Sequence, residues 1–411
     1  IRNATQAIRE ALLPNTWFDL SQTDGIYTGK GPHTVKVCMA SESVKVADVV
    51  LDITTDFGEH PVTYGMTVRF DRGVAEADFS LDLEPGFYKA VFSIVDNDGV
   101  RTELSRTNLG FNPEQIVSDQ DKQPDFDAFW EQTLAELAAV EPEYSLTLLE
   151  DHSDDIRKSY RVDMKSLGGE PISGLLVMPV AEGKYPAMIS YMGYGSNVWY
   201  PNPSDNPHLI EFQLCVRNQA FNRKPGEDEY WCTRGLDDKY KYYYRGAFAD
   251  AVRAIDFVCS LPQTDAGRVV ANGESQGGAL TLVAASLDHR LKAIAPSAPF
   301  LNDYRDYFAL VDWPGNWILQ AAQEQNIPVE ELYVTLSYFD VKNFTDRIQC
   351  PVLMAIGLQD PVCPPHTNFA GFNHIKAEKS WICYPEAGHN VWEQKGWPEA
   401  KQKFLDSFLW E

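Results

Sequence analysis

The stretch Val269-Val270-Ala271-Asn272-Gly273-Glu274-Ser275-Gln276-Gly277-Gly278 passes from a β-branched segment into a glycine-flanked serine, then directly into the small apolar run Ala279 to Ala285. It reads as strand, sharp turn and helix, with Ser275 on the turn. Glycines two positions before and two after the serine leave room for backbone that a Cβ would block. The Oγ is then held out at a helix N-terminus, where the backbone amide of Gln276 can face a developing oxyanion. A lone Gly-x-Ser-x-Gly is a weak signal. The strand before it and the helix after it make this one specific.

A serine in that position needs a base, and an imidazole has to reach it from the carboxyl edge of the sheet, in a loop after a late strand. Of the eight histidines, His33 and His60 lie in a region of different pattern, His152 and His208 precede the serine, and His289 ends the elbow helix. His366 and His374 sit just after the candidate acid. His389 remains, following the strand-like Trp381-Ile382-Cys383-Tyr384 through Pro385-Glu386-Ala387-Gly388. The acid belongs between serine and histidine, at a strand end. Val352 to Gly357 is an apolar run fit for a buried parallel strand, and Leu358-Gln359-Asp360-Pro361 closes it, which selects Asp360. Asp340 and Asp346 are the competitors, read as a helix cap and a solvated charge.

From about Gln123 onward the chain resembles carbohydrate esterase family seven, the acetyl xylan esterases and cephalosporin-C deacetylases. The matching stretches are Asp125-Phe126-Asp127-Ala128-Phe129-Trp130, Tyr191-Met192-Gly193-Tyr194, Tyr242-Tyr243-Tyr244-Arg245, Asp250-Ala251-Val252-Arg253-Ala254, Gly273 to Gly278, Leu336-Ser337-Tyr338-Phe339-Asp340 and Gly357-Leu358-Gln359-Asp360, with Pro364-Pro365 after the acid. The resemblance implies a Ser-His-Asp hydrolase releasing acetate from small acetylated sugars such as xylo-oligosaccharides. It also implies an oxyanion hole formed by the amides of Tyr194 and Gln276. Tyr194, with Pro299 and Phe300 just beyond the strand-like Ala293 to Ala295, is expected to touch the substrate. Two departures stand out: the family's Arg-Gly-Gln appears as Arg217-Asn218-Gln219, and its His-Glu pair as His389-Asn390.

The remaining pattern divides in two. Between Thr16 and Phe111 apolar and polar residues alternate in short runs, among them Thr34 to Met39, Val62 to Phe70, Ala77 to Leu83 and Phe87 to Val95. Asp96-Asn97-Asp98-Gly99 is a hairpin signal, since Asp-Gly tolerates the positive φ of a tight turn. Residues 1–115 are therefore expected to form an immunoglobulin-like β-sandwich, with a short helix over Ile1 to Leu13 and a polar linker over Asn112 to Pro124. Residues 116–411 are expected to be an α/β-hydrolase, a mostly parallel sheet with helices on both faces. Its opening helix carries Phe126, Phe129, Trp130, Leu134 and Leu137. The sheet strands are Leu175 to Val180, Ala187 to Tyr191, Gln213 to Arg217, Val269 to Asn272, Ala293 to Ala295, Val352 to Ile356 and Ser380 to Tyr384. Asn302 to Arg347 is too long for a bare loop and reads as a small helical cap, whose Trp313, Trp317, Tyr333 and Tyr338 are pocket walls or core.

With 59 acidic against 35 basic side chains the net charge is −24, which repels nucleic acid and anionic lipid and suits a neutral acetylated sugar better than a uronate polymer. No run of eighteen apolar residues suggests a membrane span. The chain opens on Ile1 without an initiator methionine, so a removed leader and a secreted or periplasmic location are expected, cytoplasmic being the alternative. Seven cysteines without metal spacing read as buried thiols, a Cys215–Cys232 disulfide being conceivable. Neither metal nor organic cofactor is expected, the three side chains being chemically sufficient. The family's catalytic unit forms closed hexamers. An added sandwich on each subunit would crowd such an assembly, so a monomer or dimer is expected. The alternatives are a peptidase of the prolyl-oligopeptidase kind and a carbohydrate-binding hydrolase homologue without turnover.

Overall fold

The structure, a computed structural model, describes residues 13–410. The helix expected from Ile1 falls, but for Leu13, outside the described residues. The chain forms two compact units: one runs through Ile116 and takes in Cys383–Gly388, and the other comprises the remainder.

Among its described residues up to Ile116 the first unit has eight strands: β1 (Asn15–Phe18), β2 (Ile26–Tyr27), β3 (His33–Ala40), β4 (Val46–Thr55), β5 (Val62–Arg69), β6 (Val74–Leu81), β7 (Gly86–Val95) and β8 (Arg101–Phe111). They form a three-stranded sheet, β1-β3-β6, and a five-stranded sheet, β2-β8-β7-β4-β5. In β6 every second residue is buried, so Ala75, Ala77, Phe79 and Leu81 face inward. They join Val35, Val37 and Met39 of β3 and Val49, Leu51 and Phe92 of the other sheet in one core. Two sheets sharing one core are a β-sandwich. The first strand, β1, pairs with β3 in one sheet, and the second, β2, runs parallel to β8 in the other. At the Asp96–Gly99 hairpin Gly99 takes φ 78° and the Asp96 amide donates to the Val100 carbonyl at 3.0 Å.

The second unit opens with α1 (Phe126–Ala138), followed by β9 (Ser145–Leu148), β10 (Arg157–Lys165), β11 (Pro171–Pro179), β12 (Tyr185–Tyr191) and β13 (Ile210–Cys215). Then come α2 (Tyr243–Ser260), β14 (Thr264–Glu274), α3 (Gln276–Leu287) and β15 (Ile294–Ser297). Three helices follow before the next strand, α4 (Tyr304–Leu310), α5 (Gly315–Glu324) and α6 (Val329–Ser337), which is the expected cap. The chain ends with β16 (Val352–Gly357), α7 (Pro365–Phe372), β17 (Lys379–Tyr384) and α8 (Trp397–Leu409). Among the described residues no helix is long and apolar enough to cross a membrane.

One nine-stranded sheet results, β17-β16-β15-β14-β12-β13-β11-β10-β9. The links from β13 through β12, β14 and β15 to β16 are parallel, and every residue of β16 is buried, as expected of a strand covered on both faces. The sequence reading misses the flank formed by β9 and β10, where β9, β10, β11 and β13 pair antiparallel. β9 is an edge strand exposed along its whole length, and its Ser145-Leu146-Thr147-Leu148 alternates over only four residues, at the lower limit of a readable run.

The expected linker is not a free tether. Ser118 Oγ donates to Asp303, Gln120 Nε2 to the Lys342 carbonyl, and the Asp121 amide to Asn343 Oδ1. Lys122 pairs with Asp346 at 2.9 Å and Gln123 Nε2 donates to Ser337 Oγ. The polar side chains that suggest solvation instead satisfy polar groups of Asp303 and of the 337–346 segment, and the second unit begins at Val117. All seven cysteines, Cys215 and Cys232 included, are free thiols.

Candidate active site

β14 delivers Glu274 to the carboxyl edge of the sheet, and α3 starts at Gln276. Ser275 bridges them at φ 55°, ψ −117°, a region costly for a residue with a Cβ. The flanking glycines follow from contact distances. A Cβ on Gly273 would stand 2.3 Å from the Gly277 carbonyl oxygen, and one on Gly277 would stand 2.0 Å from the Tyr191 carbonyl oxygen. α3 can therefore pack against the ends of β12 and β14 only if both positions are glycine.

The strained turn aims Ser275 Oγ at His389, whose Nε2 lies 3.0 Å away. His389 Nδ1 lies 2.8 Å from Asp360 Oδ2, and the Asp360 side chain is fully buried. Its other oxygen accepts the backbone amides of Val362 and Cys363, both at 2.8 Å. These two donors offset the cost of burying a carboxylate and fix its rotation. The order serine, acid, histidine along the chain becomes a continuous relay. The competing carboxyls are elsewhere: Asp340 accepts the amides of Asp303, Tyr304 and Lys342, and Asp346 is held by Lys122.

Tyr194 lines the same cavity as Ser275, and Gln276 follows the serine as the first residue of α3. Both have neighbours tied by one buried polar cluster. Gln276 Oε1 accepts from Tyr244 Oη at 3.0 Å, and Gln219 Nε2 donates to Tyr243 Oη at 2.8 Å. Gln219 Oε1 accepts the Gly195 amide at 2.9 Å, next to Tyr194. Tyr194 Oη accepts the Cys232 amide. Gln219 thus reaches from the Arg-Asn-Gln segment to the loop that carries Tyr194. Arg217 anchors that segment through two bonds to buried Asp250, at 2.9 and 2.7 Å. Asn218, where the family has glycine, adopts φ 65°. Asparagine is the non-glycine residue that tolerates this conformation best, so the departure preserves the backbone. Asn390, the other departure, contacts Glu393.

Ser275 and His389 open into a cavity of about 330 Å³, lined also by Tyr194, Ser196, Cys232, Phe300, Trp313, Trp317 and Trp392. Of the residues expected to touch substrate, Tyr194 and Phe300 are in this wall. Pro299 lies outside the lining, its carbonyl accepting Asn368 Nδ2 at 2.9 Å behind it. Of the cap aromatics, Trp313 and Trp317 line the cavity. Tyr333 packs on Phe308 and Arg305, and Tyr338 is buried on Phe126 and Phe129. Trp392, which the sequence reading does not single out, sets its ring edge-on to His389 at 5.3 Å. Burial pushes the Cys232 thiol up to about 11 and raises that of Cys363 beside Ser275. Both thiols stay protonated and do not compete with Ser275 as nucleophiles.

The family model described as Acetyl xylan esterase (AXE1) matches residues 114–407. The chain belongs to the acetyl xylan esterase family. The acetyl esterase Axe7A of Xylanibacter ruminicola is 31% identical over 347 residues, covering 80% of this chain and 76% of that protein. Acetyl xylan esterase 1 of a Thermoanaerobacterium species superposes with a TM-score of 0.67 at 29% identity, over 73% of this chain and 98% of its own. The acetyl xylan esterase of a Paenibacillus species does so with a TM-score of 0.67 at 32% identity, over 72% and 98%. This family member is a carboxylic ester hydrolase on an α/β-hydrolase fold, and the peptidase alternative gives way. The family match begins at residue 114, after the last strand of the sandwich.

Proposed function

We propose that the enzyme removes acetyl groups from acetylated xylo-oligosaccharides through an acetyl-enzyme intermediate. One observation carries this reading: the Ser275–His389–Asp360 chain of hydrogen bonds ends in a cavity walled by aromatic rings. Ser275 Oγ attacks the acetyl carbonyl as its proton passes to His389 Nε2, and Asp360 stabilises the imidazolium and fixes its orientation. The oxyanion that forms is met by the amides of Tyr194 and Gln276, each contributing on the order of 3 kcal/mol. His389 then returns the proton to the sugar oxygen as the C–O bond breaks. Water deacylates Ser275 with His389 again as the base.

The rings of Trp313, Trp317 and Trp392 offer faces on which a neutral sugar can stack, and the net charge of −24 disfavours an anionic glycan. Rapid-quench mass spectrometry should find a two-carbon acyl group on the peptide containing Ser275 during turnover of p-nitrophenyl acetate. Turnover should fall steeply from acetyl to butyryl esters. A flat or rising chain-length profile would replace the deacetylase reading with that of a general esterase.

A further inference from the structure

Trp317 on α5 is a wall of two cavities. One of its sides closes the catalytic cavity, and it also lines a neighbouring groove of about 380 Å³ with Asp228, Tyr230, Arg234, Gln320 and Gln325. The rings of Trp313, Trp317 and Tyr230 form a row across that boundary, Trp313 to Trp317 at 5.4 Å and Trp317 to Tyr230 at 4.7 Å, each pair edge to face. The two end rings do not serve as core. Trp313 is 50% exposed and Tyr230 is 49% exposed. Half-exposed aromatics running outward from a catalytic serine are a surface without a packing explanation.

The groove differs in chemistry from the cavity it adjoins. Arg234 is held in place by Glu227 and Asp228, at 2.7 and 2.9 Å, and Gln320 Nε2 donates to Glu324 at 2.9 Å. Fixed donors therefore stand beside fixed acceptors around an aromatic face, the arrangement that a vicinal diol can satisfy from both sides. Its two carboxylates, Asp228 and Glu324, outnumber its one guanidinium, Arg234, so a carboxylated or phosphorylated ligand is disfavoured.

We propose that this groove is a second sugar subsite, which holds a neutral, non-reacting unit of the oligosaccharide while the acetylated unit lies at Ser275. The inference rests on the deacetylase reading above and deepens it: the preferred substrate is a chain, not an acetylated monosaccharide. Remote contacts of this kind act on kcat/KM, since binding energy from a non-reacting unit can be used at the reacting one.

The test compares the full-length enzyme with Tyr230→Ala, Tyr230→Phe and Gln325→Ala on three substrates: p-nitrophenyl acetate, acetylated xylobiose and acetylated xylotetraose. In the parent enzyme the kcat/KM ratio of tetraose to biose should exceed about tenfold, a factor of ten being about 1.4 kcal/mol of extra transition-state binding. Tyr230→Ala should bring that ratio close to one, Gln325→Ala should lower it in part, and Tyr230→Phe, which keeps the ring, should preserve most of it. The p-nitrophenyl acetate rate of each variant reports whether the catalytic centre is assembled. A parent ratio near one, or a ratio that neither alanine variant moves, overturns the subsite and leaves the deacetylase reading in place. Hydrolysis of p-nitrophenyl acetate with no acetate released from either oligosaccharide overturns both.

Discussion

His389 Nδ1 lies 2.8 Å from one oxygen of Asp360, while the other oxygen is pinned by the amides of Val362 and Cys363. An asparagine in that place would keep its carbonyl on the two amides and turn its NH₂ toward the imidazole. Nδ1 would then have to accept a hydrogen bond, which puts the proton on Nε2, where it cannot take one from Ser275. Asp360→Asn should therefore lower kcat by about 10⁴ with little change in KM. Asp346→Asn, which alters the pairing with Lys122 and a hydrogen bond with Gln120, should leave the rate of p-nitrophenyl acetate hydrolysis within about twofold. The reverse outcome would identify a different acid.

Replacing the nucleophile separates chemistry from strain. Ser275→Ala should lower turnover by roughly 10⁵ to 10⁶. The backbone at φ 55°, ψ −117° costs a residue with a Cβ about 1–3 kcal/mol, and glycine avoids that cost. Glycine also loses more entropy on folding, by about 0.4–1 kcal/mol relative to alanine. Ser275→Gly should thus be inactive yet more stable than Ser275→Ala by about 1 kcal/mol in urea unfolding. An alanine variant more stable than the glycine one by about 0.4–1 kcal/mol, the entropy difference alone, would show that the turn stores no strain.

The elbow is legible in the sequence because steric exclusion leaves a mark in residue type. Gly273 and Gly277 each face a carbonyl oxygen closer than any Cβ allows, and no other residue could be written there. Asp360 and His389 are legible for a different reason, since a parallel sheet brings its strand ends to one edge and chain order then selects the loops. The sandwich is legible from period-two burial in strands such as β6. What escapes is marked less plainly. β9 is exposed throughout, the Ser118 to Gln123 segment is polar both to solvent and to a polar partner, and Trp392 becomes a cavity wall only once the His389 loop is in place. Pro299 is adjacent to the cavity in sequence but lies behind it. The Asn218 departure makes sense only after its positive φ is seen.

Because the clash at Gly277 is with backbone, it cannot be relieved by a side-chain rotation. Gly277→Ala should force α3 away from the Tyr191-Met192 segment, costing at least about 1–3 kcal/mol of stability. The same segment leads into Gly193 and Tyr194, so the proposed oxyanion donor would move with it, and displacements near 1 Å can cost about 10² in rate. Gly267→Ala is the control: its nearest atom is the Asp265 side chain at 3.2 Å. That variant should melt within the error of the parent. A Gly277→Ala enzyme with normal melting and turnover would refute the close-packing account of the elbow.

The last prediction concerns a buried ion cluster that the catalytic mechanism does not use. Lys342 Nζ lies 2.8 Å from Asp303 Oδ1, both side chains nearly inaccessible, and Asp303 also accepts Ser118 Oγ. Asp340, beside them, accepts three backbone amides, and burial pushes its carboxyl up to about 7, with Lys342 opposing that rise. Lys342→Met would leave two buried carboxyls with no cation, a loss of about 3–5 kcal/mol. Adding Asp303→Asn should recover part of it, because one of the two uncompensated charges goes. The pH dependence has a definite sign. A carboxyl whose folded value lies above its unfolded 3.8 is penalised in full when ionised above the folded value, and the penalty fades as pH falls through that value toward the unfolded one. Removing Lys342 raises the folded value further. The stability gap between parent and Lys342→Met should therefore be wide at pH 8 and narrower at pH 5 when followed by thermal unfolding. A gap that stays constant or widens on acidification would mean that the variant loses packing and not charge compensation.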